Sequence, residues 1–129
     1  MSTKDFMGWH TLKQSIEIDA PLPTFKEREV WWCSIGVNVG HETDGKHHLF
    51  HRPVLVVKKF NKRIFWGVAM TTQIKESRHY LPIDFKGRKQ CVMLSHLRLY
   101  DAKRLHDLMG TLPHKQFEGV KTALREQLL

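Results

Sequence analysis

The sequence predicts one small α+β domain, a curled antiparallel sheet or barrel with helices at its ends. Three observations carry that expectation. Residues 29–99 hold five short stretches rich in aromatic and β-branched residues, separated by tight polar connections. Both ends of the chain place apolar residues at helical spacing. The length, 129 residues, suits one hydrophobic core and is too short for two.

The elements follow in order. Over residues 2–18, Phe6, Trp9, Leu12 or Lys13, and Ile16 recur at helical spacing, and Ser2 with Asp5 resembles a capping pair. Pro21 and Pro23 end that helix and begin an extended linker, so residues 1–23 precede the main body, 24–129. The strand stretches are 29–35 (EVWWCSI), 52–60 (RPVLVVKKF), 63–72 (RIFWGVAMTT), 79–85 (HYLPIDF) and 90–94 (QCVML). Asn61-Lys62 reads as a hairpin connection and Lys86-Gly87-Arg88 as another tight one. Pro82 cannot donate to a ladder, which suggests an edge strand. Trp31 and Trp32 alternate, so one faces the core and the other the opposite face, where it could stack a base. Asp101 can cap a short helix through Lys103, Leu105 and Leu108, with Gly110 to end it. Pro113 opens a last helix whose Phe117, Val120, Leu124 and Leu128 form one apolar face.

Composition narrows the function. At 41% hydrophobic and 26% charged, the chain has the balance of a folded domain. The apolar run at residues 54–57 falls far short of the roughly 20 residues of a membrane helix, and the N-terminus lacks the basic-then-apolar order of a signal peptide. A cytoplasmic protein is expected. Cys33 and Cys91 sit in separate apolar stretches without C-x-x-C spacing, so both are expected to be buried small residues, with neither redox nor metal duty. The formal charge of +8 draws polyanions, nucleic acid or an acidic protein.

One loop stands out. Residues 38–51 (NVGHETDGKHHLFH) are polar, bracketed by glycines, and run straight into Arg52-Pro53. Thr71-Thr72 ends another strand and is followed by Gln73, Lys75 and Arg78. In a curled sheet those strand ends could meet on one rim. An RNA 2′-hydroxyl can attack its own phosphate without metal or a protein nucleophile, provided that a site aligns it, moves protons and stabilises the phosphorane. Arg52 suits the charge, since its planar fork pairs with two phosphate oxygens. Histidine suits proton transfer, with an ordinary pKa of about 6.5. Thr71 can donate a hydrogen bond to a phosphate oxygen. His47-His48-x-x-His51 invites a metal site, but three histidines in a loop without carboxylate geometry rarely form one, and no metal or other cofactor is expected there.

Four segments, in order, carry a resemblance. Glu29-Val30-Trp31-Trp32 with Gly40-His41-Glu42, then Arg52-Pro53-Val54-Leu55-Val56-Val57, then Met70-Thr71-Thr72-Gln73-Ile74, and finally Val92 to Arg98 with Asp101 and Arg104-Leu105 resemble the MazF/PemK family of toxin endoribonucleases. The resemblance implies an SH3-like small β-barrel with C-terminal helices, to which the N-terminal helix is an addition. It further implies a homodimer that cuts single-stranded RNA (mRNA) without metal and is held by a cognate antitoxin protein. Carried over by position, the catalytic residues are Arg52, Thr71 and His41. The RNA-binding candidates are Lys46, His51, Gln73, Lys75, Arg78 and His96, the last standing where the family commonly has glutamine. The loop before Arg52 is longer and richer in histidine than the family's turn. Fold alone leaves a gyrase-binding toxin resembling CcdB, or a member that only binds RNA or antitoxin, as alternatives; Arg52 and Thr71 together favour the nuclease.

Overall fold

The computed structural model describes residues 5–19, 22–35 and 51–128. Its elements are α1 (Phe6–Asp19), β1 (Glu29–Ser34), β2 (His51–Lys59), β3 (Ile64–Thr71), β4 (Tyr80–Phe85), β5 (Arg88–Asp101), a 3-10 turn (Ala102–Arg104), β6 (Leu105–Thr111) and α2 (His114–Leu128). Among the described residues no helix is long and apolar enough to cross a membrane. The loop at 38–50, with His41 and Lys46, and Ser2 and Pro21 lie outside the described residues, as does the side chain of Phe6.

Local chemistry fixes the hairpins. Between β2 and β3, Asn61 Oδ1 accepts from the Arg63 and Ile64 amides at 2.8 and 3.0 Å, an Asx turn that aims β3 back along β2. Between β4 and β5, Lys86 and Gly87 have φ of 54° and 73°. Two positive φ values make the two-residue turn whose twist matches a hairpin, and glycine takes its share of that strain without a Cβ penalty.

All six strands form one antiparallel sheet in the order β4-β5-β3-β2-β1-β6. Pro82 lies on β4, an edge strand, as its missing N–H requires. The sheet bends within β5, where Val68 pairs with Leu97 but Met70 pairs with Val92. Residues 93–96 therefore stand against Ala69 alone, and such a bulge sharpens the local twist. The expected closed barrel is not formed. Among the described residues no ladder joins β4 to β6; the two edges meet through side chains, with Lys86 Nζ donating to the Met109 carbonyl at 2.5 Å.

Two further expectations need correction. The helix expected after Asp101 is a single 3-10 turn, capped by Asp101 Oδ1 on the Lys103 amide at 2.9 Å, and then a strand. Leu105 and Leu108 have helical spacing, but β1 has an open edge whose N–H and C=O groups need partners. Pairing Leu105 with Cys33 and Gly110 with Val30 satisfies them. The expected C-terminal helices thus reduce to α2. Secondly, β5 runs on well past Leu94, because its second half pairs with β3 as far as Asp101.

Alternation sorts the side chains into two cores. Trp31, Cys33, Val54, Val56, Phe65, Ala69, Met93 and Tyr100 pack on one face, with Phe25, Ile35, Ala102 and Leu105 completing the cluster. Val30, Leu55, Val68, Met70, Val92 and Leu94 pack on the other, where Phe117, Val120 and Leu124 of α2 cover them. Cys33 and Cys91 are buried free thiols. At the N-terminus the cap of α1 is Asp5, whose Oδ1 accepts from the Gly8 amide at 2.8 Å. Trp9 and Ile16 are buried, and the Arg104 guanidinium lies 5.4 Å over the Trp9 ring.

Candidate functional site

The antiparallel order brings the end of β1, the start of β2, the end of β3 and the start of β6 to one rim. Ser34 pairs with His51, Cys33 pairs with both Arg52 and Leu105, and Thr71 pairs with Cys91. Val54 pairs with Ala69, two residues inward from Arg52 on one strand and from Thr71 on the next. Because paired residues share a face and faces alternate, Arg52 and Thr71 share one side of neighbouring strands.

Arg52 is half-buried in β2 and has interaction partners there. It is the second residue of the strand, which begins at His51. Its positive charge reaches His96: burial first, then Arg52, holds that imidazole below the ordinary histidine range. His96 is thus neutral at pH 7, able to accept a proton or a hydrogen bond beside a permanent cation. Thr71 is 7% exposed, and its Oγ1 accepts from the Gln73 amide at 3.2 Å, leaving the hydroxyl proton for another acceptor. Gln73, Lys75 and Arg78 are exposed on the connection that leaves this end of β3. Lys75 Nζ lies 5.2 Å from the Tyr80 ring, while Arg78 lines a cavity of about 430 Å³ between β4 and the end of α2. One face of the rim therefore gathers Arg52 and Thr71 with the neighbouring His96, while His51 lies on the other face and Arg78 stands apart.

A second group sits on the other face of the same strand ends. Trp32, which alternates with the core residue Trp31, stacks on His51 with ring centroids 4.5 Å apart and planes at 31°. His51 meets His106 edge-on at 6.3 Å. The Ser34 hydroxyl and His106 Nε2 share a hydrogen bond, and Arg104 Nη1 donates to the Ser34 carbonyl at 3.2 Å. Burial lowers the His106 pKa, against a smaller opposing pull from Asp107. The contact between Ser34 and His106 was not legible in the sequence. The one signal was the position of His106 just after Arg104-Leu105, in a segment whose leucine spacing reads as helix.

Other groups are chemically quiet. Burial pushes the Cys33 thiol up to about 12, so it stays protonated and is no nucleophile. Tyr100 is likewise raised, by burial first, and keeps its proton.

The fold is that of the MazF toxins. A crystal structure of MazF from Deinococcus radiodurans matches with a TM-score of 0.65 at 19% identity, over 84% of this chain and 97% of that one. An endoribonuclease from a Mycobacterial species, solved with its cognate antitoxin, matches with a TM-score of 0.63 at 16% identity, over 82% and 94%. The Mycobacterium tuberculosis toxin MazF-mt6 matches with a TM-score of 0.60 at 14% identity, over 78% and 96%. No curated protein matches in sequence. The family model described as the PemK-like, MazF-like toxin of type II toxin-antitoxin systems matches residues 26–128, and the chain belongs to that family. The match begins after α1, so the N-terminal helix lies outside it.

Proposed function

We propose that this chain is a cytoplasmic toxin endoribonuclease that cleaves single-stranded RNA by attack of a 2′-hydroxyl on the adjacent phosphate. The new O2′–P bond replaces the P–O5′ bond, leaving a 2′,3′-cyclic phosphate and a 5′-hydroxyl. The observation that carries this reading is the placement of Arg52 and Thr71 at one end of adjacent strands, on one face. Arg52 neutralises the phosphorane with its guanidinium, and Thr71 donates its hydroxyl proton to a non-bridging oxygen. His41 assists proton transfer. Lys46, Lys75 and Arg78 follow the RNA backbone, with His51, Gln73 and His96 as further RNA contacts. No metal is required, since the nucleophile belongs to the substrate. The active form is a homodimer, and the antitoxin that accompanies the toxin in its gene pair is the natural inhibitor, as supported by the antitoxin-bound neighbour.

The test is a long mixed-sequence single-stranded RNA incubated in EDTA with the parent and with Arg52→Ala. Discrete fragments from the parent and intact RNA with the variant are expected. Equal cutting by both would remove Arg52 from the mechanism.

A further inference from the structure

We infer that Tyr80 is a base-stacking residue of this site, a platform for the nucleobase that flanks the scissile phosphate on the β4 side. The inference deepens the endoribonuclease reading and rests on it.

The register places Tyr80 on the face that carries Arg52 and Thr71. Thr71 pairs with Cys91, and Cys91 pairs on its other side with Pro82, so one row runs from β3 across β5 to β4. Met70, Val92 and Leu81 form the next row, and their side chains join the core of the opposite face. Tyr80 pairs with Met93, one residue further on, and so returns to the face of Thr71. The packing agrees. Tyr80 lies against the cluster of Val54, Ala69 and Met93, whose face Arg52 and Thr71 extend to the rim. With strands about 4.8 Å apart and a rise of about 3.3 Å per residue, the Tyr80 Cα stands about 12 Å from that of Thr71. A phosphate held at Thr71 and the base beside it can cover that span.

The ring is accessible there. On this face Phe25, Trp31, Phe65 and Tyr100 are core aromatic residues, none more than 7% exposed, whereas Tyr80 is half-buried at the head of an edge strand. Residues 72–78, which lead to it from Thr71, are all exposed. The backbone that carries the ring is fixed. The Tyr80 amide donates to the Ser77 carbonyl at 3.1 Å, and the His79 carbonyl accepts from the Leu94 amide at 2.8 Å. A rigid aromatic on a fixed strand needs little ordering when a base arrives.

The ring already holds a cation. Lys75 Nζ lies 5.2 Å from its centroid, and Lys75 is exposed. That contact marks a ring surface open to groups from solvent. An exposed cation–π contact is worth about 2–5-fold in an equilibrium, whereas base–aromatic stacking is worth about 5–150-fold. A base therefore displaces the ammonium, and Lys75 turns on its flexible stem to the adjoining phosphate. Guanidinium, hydroxyl and aromatic ring then follow one another across β2, β3 and β4 on a single face, as a track for single-stranded RNA requires.

The experiment first maps a cut site with the parent protein on a long single-stranded RNA. A short oligonucleotide spanning that site carries a 2′-deoxy residue at the cut, so that it stays whole, and an abasic residue at each flanking position in turn. Binding is read by fluorescence anisotropy at one salt concentration for the parent, Tyr80→Leu and Tyr80→Phe, each checked for folding by thermal unfolding. An abasic residue at one flanking position should weaken binding to the parent by about 5–150-fold. The same change should cost Tyr80→Leu less than about twofold, because the partner of that base is already gone. Tyr80→Phe should behave as the parent, since the ring stacks and the hydroxyl does not. Leucine retains an apolar side chain for the core, so a merely structural tyrosine would give equal abasic losses in Tyr80→Leu and the parent at every position, and that result would overturn the assignment. A Tyr80→Phe that behaves like Tyr80→Leu would also overturn it. Should Tyr80→Leu fail to fold, Tyr80→Met, whose unbranched side chain adapts to irregular gaps, carries the same comparison. A parent that leaves RNA intact in the mapping step would instead overturn the endoribonuclease reading itself, which separates the two failures.

Discussion

Replacing Gly67 with alanine should destabilise the fold by about 2 kcal/mol, because a single added methyl at that position has nowhere to go. Gly67 pairs with Val56 on one side and Arg98 on the other, in the middle of the sheet. A Cβ there would lie 2.6 Å from Val54 Cγ1, 2.9 Å from the Phe65 ring and 3.1 Å from the Tyr100 ring. Ordinary contact needs 3.4 Å or more, so Val54 would have to withdraw by nearly an ångström. It cannot do so freely. Val54 is fully buried, and Phe65 is stacked on Tyr100 at 5.5 Å and tilted against Phe25 at 5.0 Å. Overpacking of this kind costs about 1–3 kcal/mol, and the rigidity of the site argues for the upper half. Loss of glycine's unfolded-state freedom returns about 0.4–1 kcal/mol. With about 2.1 cal/mol/K of unfolding entropy per residue, each kcal/mol moves the Tm of a chain this size by about 4 °C, so a fall of about 8 °C is expected. Calorimetry or thermal circular dichroism reads it directly. Val54→Ala in the same chain removes the closest methyl group, so the double variant should lose less than the two singles together. An unchanged or raised Tm for Gly67→Ala would refute the packing argument.

Three other outcomes follow from the same structure. Neither Cys33 nor Cys91 should react with a thiol reagent at pH 8 in the folded protein, and both should react in denaturant, since both are buried and the Cys33 thiol titrates near 12; rapid native labelling would contradict this. Truncating Phe117 to alanine should cost about 3–5 kcal/mol by urea denaturation, because the ring is 3% exposed and anchors α2 on the second core. Stability should also fall on acidification below about pH 6.5. His96 and His106 have folded pKa values below their unfolded ones, so the unfolded chain binds more protons as pH falls through that range, and their contribution is present above it and lost towards the folded values; urea midpoints that stay flat or rise between pH 7 and pH 5 would count against both shifts.

Local pattern carried much of the fold. Asn61 and Gly87 announced their turns, Pro82 announced an edge, and the period of Phe117, Val120 and Leu124 announced α2. What failed was decided at a distance. Leu105 to Leu108 looks helical until β1 presents an unpaired edge, and no residue in the segment encodes that demand. Closure of the barrel depended likewise on how far the bulge at 93–96 bends the sheet, a property of the β3–β5 register. At the candidate site, neither Arg-Pro nor a threonine at a strand end is distinctive alone, and Arg52 and Thr71 stood out only through the four ordered segments that resemble the family. Ser34 and His106 are common residues more than 70 positions apart, and they meet only through the pairing of β1 with β6. His41 and Lys46 lie outside the described residues, so their parts in the proposed chemistry rest on the sequence.

The most direct test of the central claim is to replace the 2′-hydroxyl with hydrogen at one mapped cut site and leave the rest of the RNA unchanged. If the nucleophile is that hydroxyl, cutting at the altered position stops, neighbouring sites are still cut, and their fragments carry 2′,3′-cyclic phosphate and 5′-hydroxyl ends. Cutting that persists at the deoxy position, or fragments with 5′-phosphate ends, would mean that water or a protein group attacks, and the roles proposed for Arg52 and Thr71 would fall together.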